Sequence, residues 1–100
     1  MIKHIVMWKL KDEFNGKDKS ELLKETKERL ESLYKNVPGI VSLQVGINKD
    51  GLYGNYDLVL ITDFENSDAL KDYQEHPYHL EVAKYISDVR IERACVDFEY

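Results

Sequence analysis

Three histidines carry most of the acid–base chemistry that this sequence could perform: His4, and His76 and His79 in the motif His-Pro-Tyr-His. Histidine has an ordinary pKa of about 6.5, so it can accept or release a proton close to neutral pH. Tyr73 precedes the motif by three residues and adds a phenolic hydroxyl that can donate a hydrogen bond. These residue types predict a site for general acid–base catalysis. The alternative is a structural or surface role for the same side chains.

His4 and Asp97 form a second candidate pair. His4 lies near the start of the first predicted strand and Asp97 near the end of the last. These two strands are expected to be antiparallel neighbours, which would place the two side chains side by side. A carboxylate beside an imidazole makes the ring more basic and fixes its tautomer. Asp97 shares its strand parity with Ile91 and Cys95, so we expect it to point into the molecule. The alternative is a buried polar pair that only holds the register of the sheet.

No motif predicts a metal or a cofactor. The three histidines together could form a metal site, but a proline separates His76 from His79 and no second set of partners for the rings is evident. We therefore predict no metal. Cys95 lies in a strand pattern and is expected to be a small buried apolar residue rather than a nucleophile. Neither a G-x-G-x-x-G motif nor a phosphate-binding loop occurs, so no nucleotide cofactor is expected.

The charge balance limits the classes of partner and location. With 19 acidic and 14 basic side chains the formal net charge is −5, and the basic residues are scattered. Such a surface repels a nucleic-acid backbone, which argues against a nucleic-acid partner. The single cysteine excludes an internal disulfide and fits a reducing compartment. No apolar stretch approaches the roughly 18 residues of a membrane span, and no signal-peptide pattern is seen, so we predict a cytoplasmic protein.

The elements that must position these residues follow the order β-α-β-β-α-β. Alternating apolar residues predict strands, and apolar residues three or four apart predict helices. Strands are predicted over residues 2–11, 40–47, 56–64 and 90–98, and helices over residues 22–37 and 66–86, with a polar turn at 12–19 and a hairpin loop at 48–55. Right-handed crossovers place the first strand between the third and the fourth. The prediction is therefore one α+β domain, residues 1–100, with a ferredoxin-like βαββαβ fold and a four-stranded antiparallel sheet.

Pro77 is predicted to interrupt the second helix, since the residue before a proline avoids the helical region. On an unbroken helix Tyr73 and His79 would point about 120° apart, because each residue turns by about 100°. A break at Pro77 is expected to swing His79 toward a cavity between helix and sheet. Tyr73 and His79 can therefore share one pocket only if the helix is broken there.

The first strand is apolar on both of its faces. Ile5 and Met7 lie on one side, and Val6 and Trp8 lie on the other. Two helices on one face of the sheet leave the other face uncovered, and either set is too apolar to remain in water. We therefore predict a homodimer that packs through its sheet faces.

Short motifs are spread along nearly the whole chain. They are segment 2–6 (Ile-Lys-His-Ile-Val) in the first strand, segments 37–40 (Val-Pro-Gly-Ile) and 56–60 (Tyr-Asp-Leu-Val-Leu), Tyr73, the His-Pro-Tyr-His motif of residues 76–79, and segment 96–98 (Val-Asp-Phe). In combination they resemble the stress-responsive A/B barrel domain family, whose fold is a dimeric α+β barrel. The pairing of Lys-His at the start with His-Pro-x-His in the second helix is fairly specific, whereas each motif alone is weak.

The resemblance implies a function. In the olivetolic acid cyclase-like proteins of this family, a histidine in the place of His79 acts as the base and a tyrosine in the place of Tyr73 supports the substrate carbonyl. By this resemblance His79 and Tyr73 are catalytic here, with His4 and Asp97 as orienting partners. An aldol-type closure needs such a base, and such a donor for the developing enolate oxygen. The implied activity is that of a cofactor-independent lyase, cyclase or isomerase acting on a small apolar carbonyl compound.

Two other functions are consistent with the sequence. One is that of a non-catalytic dimeric domain, which either binds a small hydrophobic ligand or has a stabilising role under stress. The other is cofactor-free oxygenation, as in related dimeric barrels. A cavity that reaches His79 and Tyr73 would favour the enzyme. Side chains that fill this space would favour the non-catalytic domain.

Overall fold

Six strands and four helices make up the fold, and the computed structural model describes all 100 residues. In chain order the elements are β1 (Ile2–Leu10), β2 (Glu13–Phe14), β3 (Lys17–Asp18), α1 (Lys19–Glu31), α2 (Leu33–Asn36), β4 (Ser42–Ile47), β5 (Leu58–Phe64), α3 (Ser67–Glu75), α4 (Pro77–Val89) and β6 (Arg90–Glu99). None of the helices combines the length and the apolar composition that crossing a bilayer would require.

Strands β4, β5, β1 and β6 form one antiparallel sheet in this spatial order. The first strand therefore lies between β5 and β6, as the crossover rule predicted from the sequence. Within the sheet His4 is opposite Thr62 of β5 on one side and Asp97 of β6 on the other. The α+β class, the ferredoxin-like order and the four-stranded antiparallel sheet are all confirmed.

The core lies between one face of this sheet and the helices. Val6, Trp8 and Leu10 are buried along β1, and they alternate with more exposed neighbours, because successive side chains of a strand point to opposite faces. Leu22 and Leu30 of α1 are buried as well. In all, 17 buried hydrophobic residues form a single cluster, so the sheet and the helices share one core.

The opposite face of the sheet is apolar and exposed. Met7, Val96 and Phe98 share this face across β1 and β6, and they are 36%, 53% and 43% exposed. The uncovered set is therefore the one that contains Ile5 and Met7. Such a contiguous apolar surface is typical of an interaction site.

The structure differs from the prediction at residues 12–19, where we expected a polar turn. A small hairpin, in which β2 pairs with β3, occupies this place. Its two-residue turn consists of Asn15 and Gly16, with φ angles of 51° and 79°. Asn-Gly is the dipeptide that such tight hairpin turns favour, because both residues tolerate a positive φ.

The first helix and the following strand also have different bounds from those predicted. The helix begins earlier, at Lys19, because Asp18 and Glu21 form a capping box at its amino terminus. It is divided at Ser32 into α1 and the short α2. Strand β4 begins at Ser42 rather than at residue 40.

The prediction that Cys95 is buried was wrong, because its side chain is exposed. It lies in β6, which is an edge strand of the sheet. Every residue of β6 apart from Arg90 and Ala94 is exposed, so the helix layer does not extend over this edge. Asp97 has the predicted strand parity, yet it is exposed for the same reason.

Candidate active site

A cavity of ≈ 170 Å³ lies between the sheet and the helices. It is lined by 14 residues, nine of them hydrophobic, and the other five are His4, His79, Ser87, Arg90 and Arg93. An apolar protein cavity of about 150 Å³ is large enough to hold benzene. The space therefore fits a molecule that has an apolar body about the size of one ring.

His4 is held at one side of the cavity by β1. Its place in the strand alternation turns the ring to the helix-covered face, where it is 3% exposed. Its Nδ1 is hydrogen-bonded to a carboxylate oxygen of Asp97 on the neighbouring strand. A carboxylate accepts this bond, so Nδ1 carries a proton and, in the neutral ring, the lone pair is on Nε2. The prediction that these two side chains lie side by side is confirmed.

Tyr73 of α3 is fully buried next to the cavity. Its ring centroid is 4.5 Å from that of His79, 5.0 Å from that of Phe64 and 6.1 Å from that of His4. Its hydroxyl is the only buried side-chain nitrogen or oxygen of the protein that has no hydrogen-bond partner. Leaving such a group unpaired costs about 1–3 kcal/mol, so the hydroxyl is available to a ligand. Burial also raises the pKa of the Tyr73 phenol, which therefore stays protonated.

His79 of α4 is half-buried beside Tyr73. Its Nδ1 lies 3.1 Å from the main-chain oxygen of Gln74. A carbonyl oxygen only accepts, so Nδ1 carries the proton and the lone pair is on Nε2. Burial lowers the pKa of His79; the hydrogen bond to Gln74 opposes this effect, and nearby positive charges such as that of Arg93 add to it. The ring is therefore neutral near pH 7 and can accept a proton at Nε2.

The break between α3 and α4 explains why the Gln74 carbonyl is available to His79. Pro77 is the first residue of α4, and His76 lies between the two helices. On an unbroken helix the Tyr78 amide would donate to the Gln74 carbonyl, but here it donates to Nδ1 of His76 at 3.1 Å. The predicted break at Pro77, and the turn of His79 into the cavity, are confirmed.

The three histidines do not converge on one point, because His76 caps α4 and does not line the cavity. A different trio, His4, Cys95 and Asp97, has donor atoms within 4.8 Å of one another and is the group that could hold a metal ion. The Cys95 sulfur is 3.8 Å from Nδ1 of His4 and 3.8 Å from a carboxylate oxygen of Asp97. Burial and then the Asp97 charge raise the pKa of the Cys95 thiol. A metal would therefore have to displace both a thiol proton and the His4–Asp97 hydrogen bond.

Comparison with known proteins places the chain in a family. Residues 2–100 match the family model described as the stress responsive A/B barrel domain. The chain belongs to this family. No curated protein matches the chain significantly.

Solved structures similar to this A/B barrel domain span nearly its whole length. A dimeric protein of unknown function with a ferredoxin-like fold, from Bacteroides fragilis, is 32% identical with a TM-score of 0.85, over 99% of this chain and 95% of that one. A dimeric ferredoxin-like protein of unknown function from Thermobifida fusca is 23% identical with a TM-score of 0.84, over 99% and 90%. Hydroxynitrile lyase from Passiflora edulis is 13% identical with a TM-score of 0.81, over 97% and 90%. The last two show a common fold alone.

Sequence reasoning missed three cavity residues of this A/B barrel domain: Ser87, Arg90 and Arg93. Arg93 is directly opposite Trp8 in the pairing of β1 with β6, and its strand parity is that of Asp97. This shared parity could have predicted that the Arg93 side chain points to the same face of the sheet as Asp97. Ser87 and Arg90 lie where α4 passes into β6, and no periodic pattern marks such a junction.

Proposed function

We propose that this protein is a cofactor-independent enzyme that acts by proton transfer on a small, largely apolar carbonyl compound. His79 is the base, Tyr73 donates a hydrogen bond to the carbonyl oxygen, and His4 and Asp97 orient the site. The observation that carries the proposal is the unpaired hydroxyl of Tyr73, a fully buried residue whose ring packs against that of His79. Native proteins rarely leave a buried polar group without a partner, and a ligand oxygen is the partner that fits here.

The reaction begins with removal of a proton from the carbon next to the carbonyl. Nε2 of His79 takes the proton, the electron pair of the broken C–H bond forms a carbon–carbon double bond, and negative charge gathers on the oxygen. The Tyr73 hydroxyl stabilises this enolate oxygen by a hydrogen bond. Return of the proton to another carbon completes an isomerisation. In a cyclisation the enolate carbon attacks a second carbonyl, whose oxygen becomes an alkoxide and takes the proton back from His79. In a lyase reaction the bond to a leaving group breaks instead, and the leaving group departs with the electron pair and takes that proton.

The apolar walls of the cavity support both roles. Val6, Leu60, Val82 and Ile86 line it and are buried, so a bound molecule lies against apolar side chains. In such surroundings a hydrogen bond to a developing charge is stronger than in water. The same burial lowers the pKa of His79 and keeps the base in its neutral form.

His4 and Asp97 act as positioning residues rather than as the base. Asp97 holds the ring of His4 through Nδ1, which leaves Nε2 to accept a hydrogen bond from a ligand hydroxyl or from a bound water. The ring stands edge-on to Tyr73. We infer that this pair fixes the position of the ligand carbonyl between Tyr73 and His79.

We also propose that the protein works as a homodimer that packs through the exposed sheet face. This face carries Met7, Val96 and Phe98, which are too apolar and too contiguous to remain in water. The Bacteroides fragilis protein, which is 32% identical, is dimeric, and this supports dimerisation of the chain. The cavity lies on the other face of the sheet, so pairing of two copies in this way would leave it accessible.

Exchange of carbon-bound protons tests the proposed reaction. Small one-ring ketones such as phenylacetone are mixed with the protein in D2O, and the loss of the signal of the protons next to the carbonyl is followed by NMR. His79→Ala should abolish the catalysed exchange. His76→Asn is the matched control, because it removes an imidazole outside the cavity while its side chain can still cap α4. Equal exchange by the wild-type protein and His79→Ala would contradict the proposal.

A further inference from the structure

The three arginines of the chain differ in their partners. Arg29 lies on the surface of α1, with its guanidinium 3.2 Å from a carboxylate oxygen of Glu25. Arg90 and Arg93 both line the cavity, and neither takes part in an ion pair of the protein. No acidic residue lines the cavity. Two guanidinium groups without a carboxylate therefore border one mostly apolar space.

We propose that the cavity binds a small carboxylate with an apolar body, and that Arg93 binds its carboxylate group. This inference names the substrate class of the proposed enzyme, and it rests on that function only in treating the bound molecule as a substrate. A guanidinium matches a carboxylate in planar, two-bond geometry. The chain has 19 acidic side chains that could have paired with these arginines. That none does so at the cavity indicates that the carboxylate comes from the ligand.

The positions of the cavity residues give the ligand an orientation. Arg93 is exposed in the edge strand β6, whereas Tyr73 is fully buried. A carboxylate at Arg93 therefore lies toward the solvent, and the carbonyl that contacts Tyr73 lies inside. Arg93 and His79 both line this cavity of ≈ 170 Å³, so both can contact one bound molecule. A keto acid with an alkyl or aryl body has all the required features.

The size and the walls of the cavity restrict the body of this acid. The volume of ≈ 170 Å³ and the nine hydrophobic lining residues suit about one ring or a short alkyl chain. Arg90 is half-buried at the start of β6 and adds a second positive charge. We assign the carboxylate to Arg93 because Arg93 is the more exposed of the two arginines that line the cavity.

Calorimetric titration of two ligands of the same shape tests the assignment without any reaction. Phenylacetate carries the negative charge, and phenylacetamide is its neutral counterpart. The wild-type protein should bind phenylacetate at least about tenfold more tightly, the effect of a charge-assisted, two-bond contact. Arg93→Gln should remove most of this preference, and the charge of Arg90 accounts for any that remains. Arg29→Gln is the matched control, because it removes the same charge outside the cavity, and it should keep the preference.

Three results would overturn the inference: equal affinity for the two ligands, binding of neither, or an unchanged preference in Arg93→Gln. The melting temperature of each variant shows whether it folds. If a variant does not fold, the affinities of the wild-type protein for the two ligands still test the inference. The preference of the wild-type protein for phenylacetate is measured without any reaction, so it does not depend on the proposed base. If that preference is present but no exchange is catalysed, the proposed reaction fails and this inference stands. If exchange depends on His79 but phenylacetate is not preferred, the inference alone fails.

Discussion

The imidazole of His79 donates a hydrogen bond from Nδ1 to the main-chain oxygen of Gln74, over 3.1 Å. The tautomer of the proposed base is thus fixed by a carbonyl group at the end of a helix and not by a carboxylate. His4, on the other side of Tyr73, is fixed at the same ring position by Asp97. Each of the two histidines near the buried hydroxyl therefore has its tautomer set from outside the cavity.

Pro77→Ala tests whether the helix break positions the base. Without the proline, α3 and α4 can join, the Tyr78 amide can bond to the Gln74 carbonyl, and His79 should turn about 120° away from Tyr73. We expect the catalysed exchange to fall at least about tenfold while the fold is kept. Nitrogen NMR of the imidazole should show that His79 no longer has its proton fixed on Nδ1.

Pro38→Ala is the control for this variant, because Pro38 is the only other proline of the chain and does not line the cavity. It should leave both the exchange rate and the His79 tautomer as in the wild-type protein. An unchanged tautomer and rate in Pro77→Ala would show that the break does not position the base.

Titration of His79 should make the free energy of unfolding depend on pH. Its pKa is lowered in the folded protein, mainly by burial, so below about pH 6.5 the unfolded chain takes up a proton more readily than the folded one. The stability that His79 contributes is therefore full above about pH 6.5 and is lost as the pH falls through that value toward the folded pKa. Urea unfolding should show that His79→Gln loses less stability than the wild-type protein between about pH 8 and about pH 5. Parallel pH profiles would contradict this expectation.

Tyr73→Phe should separate stability from activity. Removal of a buried hydroxyl that has no partner should raise the free energy of unfolding by about 1–3 kcal/mol. Loss of the donor to the enolate oxygen should raise the barrier for exchange by about 2–4 kcal/mol. Chemical denaturation and the exchange rate measure the two effects. A variant that is less stable than the wild-type protein would show that the hydroxyl has a structural partner.

Much of the fold could be predicted because the signals are local. Alternation along residues 2–10 gives strand β1, and a proline at position 77 must disturb a helix. The prediction that His4 and Asp97 lie side by side followed from the strand order alone. The β2–β3 hairpin was missed although Asn15-Gly16 is a local signal for it.

The cavity could not be predicted in the same way. Its walls come from β1, β5, β6 and the helices, and its empty volume depends on how their side chains pack. The Gln74 carbonyl is available to His79 only because the Tyr78 amide donates to another acceptor, the side chain of His76. The sequence alone does not show which acceptor this amide uses. The exposure of Cys95 depends on how far the helix layer extends over the sheet edge.

Phe98→Glu tests the proposed dimer, because it places a charge on the exposed sheet face. Sedimentation at micromolar concentration should give a dimer for the wild-type protein and a monomer for the variant. Cys95→Ser is the control, since Cys95 points to the other face of the same strand, and it should stay dimeric. A wild-type protein that sediments as a single chain would contradict the dimer.

The distance from the Tyr73 hydroxyl to a bound enolate analogue tests the central claim most directly. A phenol is planar and carries its oxygen on a carbon of a carbon–carbon double bond, as an enolate does, and a crystal structure of the complex would locate it. The account predicts a phenol oxygen about 2.5–3.0 Å from the Tyr73 hydroxyl oxygen, with the ring in the cavity beside Nε2 of His79. A phenol bound in the cavity with the Tyr73 hydroxyl still unpaired, or a phenol bound elsewhere, would contradict it.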